Sequence, residues 1–373
     1  MVEDKAVHMD SSYSLVLWLV YYLCLLQKQH YIPNVAVAAL LQFLSVFFGV
    51  IAQISPQISG ISRYFPRTLQ QLEKLMGTQP EGRVRYVYCE KCSSIFSYND
   101  CILKIGSEVQ SKVCKYRFSN GSQSCNGALL KCVERPNKSK VFYPLKIYCY
   151  TPLYNYISVL VKRPGFCDLC DHWKGENKDT DALKDVYDEK VWSNFLTYDG
   201  GPFLLGAYTY ALMLNIDWFK PCKHTEYSVG AVYLTIMNLP RRIRFRQENA
   251  VLIGLIPGPK EPKRDVNTVL GPLVEELLKF WDGVKMTIFS DSASVLVRCV
   301  LLCVAFDIPA SRKVCGFLGH SAILGCSKCL KKFPGPVGQR DYSGFDRTQW
   351  PKRTLAEHRK NIYSIRKSST ITG

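Results

Sequence analysis

Two aspartates close apolar runs that lie far apart in the chain. Asp217 ends Ala211-Leu-Met-Leu-Asn-Ile-Asp217, and Asp307 ends Val295-Leu-Val-Arg-Cys-Val-Leu-Leu-Cys-Val-Ala-Phe-Asp307. Carboxylates on neighbouring strand ends are the donors that two-metal phosphodiester chemistry demands. Their hard oxygens hold two divalent ions roughly 3.5–4 Å apart, one activating the nucleophile and one steadying the leaving oxygen. Mg²⁺, or Mn²⁺ in its stead, keeps several waters and takes one or two carboxylates per ion, so two or three acids suffice. The plain alternative is that both aspartates merely end strands, as acids often do.

Cysteines offer a second chemistry. The chain has 16, several of them spaced Cys-x2-Cys, a pattern that fits reduced thiolate zinc sites better than disulfides. Cys89-Glu-Lys-Cys92 follows the β-type run Val84-Arg-Tyr-Val-Tyr88, and Cys101, Cys114, Cys125 and Cys132 come after it. Zn²⁺ takes four tetrahedral ligands, and a Cys-x2-Cys turn supplies two of them from one backbone. The preferred set is Cys89, Cys92, Cys114 and Cys125, with Cys101 as the substitute; unrelated buried thiols are the alternative. Cys167, Cys170 and His172 make a weaker cluster that lacks a fourth ligand. Cys326 and Cys329 make half a site, which Cys315 and His320 could complete locally, or histidines beyond residue 373 could.

The formal charge of +17 and a pI near 9.2 point to a polyanionic partner, nucleic acid or an anionic membrane surface. In Arg241-Arg242-Ile-Arg244-Phe-Arg246, an extended backbone sets Arg242, Arg244 and Arg246 on one face. With Arg241, and with Arg312 and Lys313 after Asp307, these are candidate DNA phosphate contacts; a solvated strand face weighs equally.

Elements must position these groups. Between the two aspartates lie β-type runs at Gly230–Met237 and Ala250–Ile256, then a helical pattern at Val269, Leu270, Leu273, Val274, Leu277, Leu278 and Trp281. The order is strand, strand, strand, helix, strand, with an aspartate ending the first and fourth strands. Asp265-Val-Asn-Thr268 can cap the helix. At the N-terminus, Tyr13–Leu26 and Val35–Ile54 are apolar and Arg67–Met76 is amphipathic. The first is short of the roughly 20 residues a membrane span needs, and the second carries Gln42, Ser45 and Gln53. Both are therefore read as buried helices of an all-α unit, with no membrane partner and no cleavable signal sequence. Phe142–Val161 reads as strand then helix, Lys174–Lys184 as a loop, and Leu355–Ile365 as a helix. At 373 residues with 47% apolar content, two or three folded domains are expected.

Several strings resemble transposases of the CACTA (En/Spm) type: Leu214-Asn-Ile-Asp-Trp-Phe219, Ser228-Val-Gly-Ala-Val-Tyr233, Asn238-Leu-Pro240, Ile256-Pro-Gly-Pro-Lys-Glu-Pro262 and Asp307-Ile-Pro-Ala-Ser-Arg-Lys-Val-Cys-Gly-Phe317, followed by Cys326-x2-Cys329. The resemblance implies an RNase H-like mixed-sheet core and a DDE/D cut-and-paste mechanism. In that mechanism a nick at the transposon end frees a 3′ hydroxyl that attacks target DNA. Asp217 and Asp307 match the first two carboxylates, and Cys326 and Cys329 match the pair that opens a zinc-containing insertion. The implied partners are double-stranded DNA and a second subunit in a homodimer; the implied location is the nucleus.

The expected class is thus α+β/α/β, with five parts. These are a helical domain (1–80), a cysteine-rich zinc module (81–140), a connecting segment (141–200), a partial RNase H-like core (201–314) and the start of the insertion (315–373). The sequence departs from the family in carrying no third acid on a helix after the sheet, Glu357 being a poor candidate. The expectation is a truncated transposase-derived DNA-binding protein that is inactive as written. The alternative is a non-catalytic, zinc-dependent DNA- or protein-binding regulator of the same origin.

Overall fold

The computed structural model describes residues 11–367 except 57–58, 77–81, 107, 120–121, 176–181, 260, 263–265, 290, 318–321, 325, 337, 342–345, 347 and 349. The chain divides into two units, Met1–Glu81 and Gly82–Gly373.

In the first unit, α1 (Ser11–Gln29) and α2 (Asn34–Ile54) are joined by a short turn that ends at Pro33. Two short helices, α3 (Ser59–Tyr64) and α4 (Leu69–Leu75), follow. Thr68 caps α4, its Oγ1 accepting from the Gln71 amide at 3.2 Å. Val16 and Val20 of α1 pack with Val37 and Leu41 of α2, and Phe65 and Leu72 close that core. These residues occupy one stripe of each helix, four residues apart. The opposite stripes are exposed, and only 11% of the most apolar window of α2 is buried. The expectation of buried helices is corrected here: the helices form, but only their inner faces are covered. By length and composition alone, α2 could cross a membrane.

The second unit opens with β1 (Val84–Tyr88), β2 (Ile95–Phe96), β3 (Ile102–Ile105), β4 (Glu108–Ser111), β5 (Leu130–Glu134), β6 (Lys140–Pro144) and β7 (Ile147–Tyr150). Helices α5 (Leu153–Val161), α6 (Phe166–Asp171) and α7 (Lys190–Ser193) come next, then the small hairpin of β8 (Thr197–Tyr198) and β9 (Gly201–Pro202). The remainder is β10 (Thr209–Phe219), β11 (Val229–Ile236), α8 (Arg241–Arg244), β12 (Ala250–Ile256), α9 (Asn267–Asp282), β13 (Val284–Ile288), β14 (Asp291–Val304), α10 (Ile308–Cys315) and α11 (Leu355–Lys367).

An eight-stranded mixed sheet runs in the order β13-β14-β10-β11-β12-β7-β1-β2. β10, β11 and β12 are an antiparallel meander, and β14 returns to lie parallel to β10. A parallel neighbour needs a crossover, which α9 and β13 supply. The sequence reading found the four strands and the helix but left out β13, which pairs antiparallel with β14. Asp265, the expected helix cap, lies outside the described residues.

Strand periodicity explains how the sheet is covered. Tyr210, Leu212, Leu214 and Ile216 face a core built with Leu153, Ile157 and Leu160 of α5 and Val269, Leu270 and Leu273 of α9. The alternate residues Ala211 and Met213 face a second cluster around Trp173, Tyr187, Trp192 and Phe203. Segment 141–200 therefore supplies a strand and part of both coverings of the sheet rather than a bare connection. Likewise, β7 joins β12 to β1, so the cysteine-rich region is built onto the same sheet. The apolar positions of α9 also divide, since Val274 and Leu278 are exposed.

Candidate functional site

Parallel pairing brings the ends of β10 and β14 together. Leu214 stands opposite Val304, and the Ala305 amide donates to the Leu214 carbonyl at 2.9 Å. Asp217 and Asp307 each lie three residues beyond that pair. The Asn215 side-chain amide donates to the Ala305 carbonyl, tying the two chains together just before the aspartates. Both aspartates are exposed. Asp307 is also the N-cap of α10, its Oδ1 accepting from the Ala310 amide at 2.7 Å. That contact fixes one carboxylate oxygen. Glu357 is held elsewhere, in the first turn of α11, where its Oε2 accepts from the Thr354 hydroxyl at 2.9 Å.

A buried polar network braces the other end of β10. Asn238 is fully buried; its Oδ1 accepts from the Ala211 amide at 2.7 Å, and its Nδ2 donates to the Thr209 carbonyl at 3.1 Å. Tyr187 lays its hydroxyl against the carbonyls of Met237, Asn238 and Leu239 at 3.1, 2.9 and 2.9 Å. Arg244 completes the network. It donates to both carboxylate oxygens of Asp185 at 2.7 and 2.9 Å, to the Tyr187 hydroxyl at 2.8 Å and to the Leu239 carbonyl at 2.9 Å.

The arginine segment accordingly departs from its expected form. Arg241–Arg244 is a helical turn after Pro240, not an extended strand, so the alternating face does not arise. Arg244 is 3% exposed and points inward, whereas Arg241, Arg242 and Arg246 are exposed. The grouping of Arg244 with the phosphate contacts is corrected by that burial. Arg312 is half-buried on α10, and the Lys313 side chain lies outside the described residues. The sequence held no signal for the roles of Asp185, Tyr187 and Asn238, because their partners lie 27 to 59 positions away.

The cysteine region yields a complete donor set. The sulfurs of Cys89, Cys92, Cys114 and Cys125 all lie within 4.8 Å of one another, and among the described residues this is the one such group of metal-binding side chains. Two turns present them. In the first, the Cys89 amide donates to the Ser94 carbonyl and the Ser93 amide to the Cys89 carbonyl, both at 2.9 Å, with Ser93 at φ 66°. In the second, the Cys125 amide donates to the Tyr116 carbonyl at 2.9 Å and the Asn126 amide to the Cys114 carbonyl at 2.8 Å.

Geometry and chemistry fit zinc. Four Zn–S bonds of about 2.3 Å in a tetrahedron give sulfur–sulfur edges of about 3.8 Å; Cys89 and Cys125 are 3.7 Å apart, Cys92 and Cys114 3.5 Å. A Cβ on Gly127 would stand 2.8 Å from the Cys89 sulfur, so the backbone approaches the cluster as only glycine allows. The Cys92 thiol and the amides of Cys92 and Lys91 draw the Cys89 thiol down to about 5, while burial pushes Cys114 up to about 12. A cluster of four sulfurs that could hold a metal such as zinc is the result. Cys101 is outside it, its thiol directed at the Ser97 carbonyl at 3.3 Å and pushed up to about 11 by burial.

The other cysteine pairs have different surroundings. Cys170 is buried on α6, and Cys167 contacts the Tyr210 hydroxyl at 3.5 Å. His172 donates through Nδ1 to the Leu169 carbonyl at 2.8 Å, and its ring meets Tyr187 edge-on. Cys326 accepts from the Lys328 amide at 3.3 Å, and Arg353 grips the turn by donating to the Cys326 and Cys329 carbonyls at 2.8 and 3.1 Å. The Cys315 carbonyl accepts from His358 at 2.8 Å, and His320 lies outside the described residues.

A comparison with curated proteins finds no match. Residues 181–337, which run from the Asp185 network through β10 and β14 to the Cys326–Cys329 turn, match the family described as Transposase family tnp2, and this supports a transposase family and, with it, interaction with DNA in general.

Proposed function

We propose that this chain carries the core of a CACTA-type transposase. It is a nuclear DNA-binding protein with a partial RNase H-like sheet. Its Asp217 and Asp307 are two of the carboxylates that would hold Mg²⁺ or Mn²⁺ for DNA cleavage and strand transfer; without a third acid the core is inactive as written. The reading rests on one observation above all: β14 lies parallel beside β10, in the order β14-β10-β11-β12, so that both aspartates follow the same rung of the ladder. The donor set suits a hard divalent cation, because both side chains are exposed carboxylates and Asp307 commits one oxygen to Ala310. When bound, such ions polarise the phosphate and make a water nucleophilic at neutral pH.

The chain's own residues hold and orient. Asn215 keeps the two strand ends in step through Ala305. The α10 amide at Ala310 fixes the Asp307 carboxylate. Arg241, Arg242 and Arg246 meet DNA phosphates, and each contact releases a counterion. Cys326 and Cys329 begin a zinc-containing insertion. The test is Mn²⁺ binding and supercoiled-plasmid nicking by the full chain: Mn²⁺ binds and is lost in Asp217→Asn while nicking stays at background, and Mn²⁺ binding unchanged in Asp217→Asn sinks the assignment.

The second reading is a non-catalytic, zinc-dependent DNA- or protein-binding regulator. Its support is the contrast between the two sites. The four-cysteine cluster offers a full tetrahedral set within the described residues, whereas the strand ends offer two carboxylates. Salt-dependent DNA binding that is lost on zinc chelation, with no Mn²⁺ held by Asp217 and Asp307, decides for it.

A further inference from the structure

The first cysteine turn reaches into the core of the sheet. Residues 89–94 fold back after β1, and Ser93 and Ser94 are buried. The Ser93 carbonyl accepts from the Thr268 hydroxyl at 2.8 Å, and Thr268 is the second residue of α9. Glu90, between Cys89 and Cys92, pairs with Lys146 at 2.9 Å. The same Lys146 ammonium donates to the Gly258 carbonyl, just past the end of β12. Two contacts therefore leave this turn, one to α9 and one to the Gly258 corner.

Both landing points bear on the strand ends. α9 belongs to the crossover that lets β14 return beside β10. Its start is weak by sequence: Val266 at the N-cap makes no side-chain cap, and Pro272 has no N–H to give to the turn before it. An external contact at Thr268 therefore matters there. Gly258 lies two residues past Ile256, which pairs with Gly230; Gly230 in turn pairs with Trp218, the neighbour of Asp217. The Ser228 amide closes that corner by donating to the Pro259 carbonyl at 3.2 Å. Lys146 thus touches the end of the sheet that carries Asp217.

Metal changes how firmly the turn is held. Thiols are weak hydrogen-bonding groups, whereas four metal–sulfur bonds cross-link the two cysteine turns and turn binding free energy into folding free energy. We propose that zinc occupancy of the four-cysteine cluster is transmitted to the core through Thr268 and Lys146, so that the metal sets the order of the first turns of α9 and of the Gly258 corner. Thr268 and Lys146 are positioning residues. Coupling is reciprocal: what zinc adds to these two contacts, the contacts add to zinc affinity. This inference rests on the cluster holding zinc and not on the carboxylate pair.

The experiment is hydrogen–deuterium exchange of the full chain, zinc-loaded and after chelation, with zinc content read by elemental analysis. In the wild type, chelation speeds exchange at residues 269–274 and at Ser228 by about 5- to 150-fold, the usual range of a coupling between sites. Residues 212–214 of β10 keep their rates. In Thr268→Val with Lys146→Met, saturating zinc still loads the cluster, but those rates are high with or without it, and zinc binds at least about 5-fold more weakly. Thr268→Ser keeps the hydroxyl and behaves as the wild type. Three results overturn the proposal: wild-type rates in α9 that ignore chelation; acceleration spread evenly over the whole chain, which makes zinc a general clamp on the fold; or a double variant that responds as the wild type does. A chain that takes up no zinc fails as a metalloprotein and takes this inference with it, whereas normal zinc content without the coupling removes this inference alone.

Discussion

Asn215 donates its side-chain amide to the carbonyl of Ala305, and so couples β10 to the segment that carries Asp307. The bond lies two residues before each aspartate. Removing it leaves the sheet intact but frees the separation of the two carboxylates. Asn215→Ala is expected to weaken Mn²⁺ binding about 10- to 100-fold, the range for groups that orient metal ligands, with little change in urea midpoint. Equal Mn²⁺ affinity in both proteins excludes this coupling.

Chelation should act on the cysteine cluster. The zinc-loaded chain carries about one tightly bound zinc on its four sulfurs, and Cys114→Ser reduces that content to near zero by elemental analysis. Gly127→Ala pushes a methyl toward the Cys89 sulfur, where a Cβ would stand at 2.8 Å, and lowers zinc affinity by about 10- to 100-fold. Unchanged zinc content in Cys114→Ser removes the cluster as a metal site.

Exposed and buried arginines separate in one salt titration. Arg242→Gln and Arg246→Gln each reduce the slope of log affinity against log salt by about 0.9 for duplex DNA. Asp185→Ala strands the buried Arg244 guanidinium and costs roughly 3–5 kcal/mol in denaturant unfolding, the range for breaking a buried pair. It leaves the salt slope of the folded protein alone. A change of slope in Asp185→Ala would place Arg244 at the DNA after all.

Alkaline pH tests the core. Burial pushes the Tyr148, Tyr150 and Tyr210 phenols up from their ordinary range, and Tyr150 is raised further by its bond to Glu276. A phenol with a raised folded pKa contributes stability that is full below about pH 10, its unfolded value, and lost as pH rises toward the folded one. The urea midpoint should fall as pH increases from about 9 to 11, and less steeply in Tyr210→Phe. A midpoint that rises over that window contradicts the burial.

Much of this arrangement was legible from residue order. Period-two and period-3.6 patterns located β10, β11, β12, α9 and β14, because each buries a continuous apolar face. The Cys-x2-Cys spacing located Cys89 and Cys92, and the preferred partners Cys114 and Cys125 are those the fold gathers. What escaped depends on distant partners. Arg244 looked like its neighbours until Asp185 and Tyr187, more than fifty positions earlier, gave it a buried site. Pro240 started a helical turn where alternation suggested a strand. Apolar composition predicted that α1 and α2 would be inside, but composition does not say whether a second surface exists to cover them.

Mn²⁺ titration of the zinc-saturated full chain, followed by electron paramagnetic resonance, tests the shared strand-end site most directly. Asp217→Asn, Asp307→Asn and the double variant should each lose the same bound Mn²⁺, because two carboxylates that serve one site fail together. Binding that survives either single substitution unchanged, or losses from the two that simply add, would mean that the aspartates do not act on a common cation.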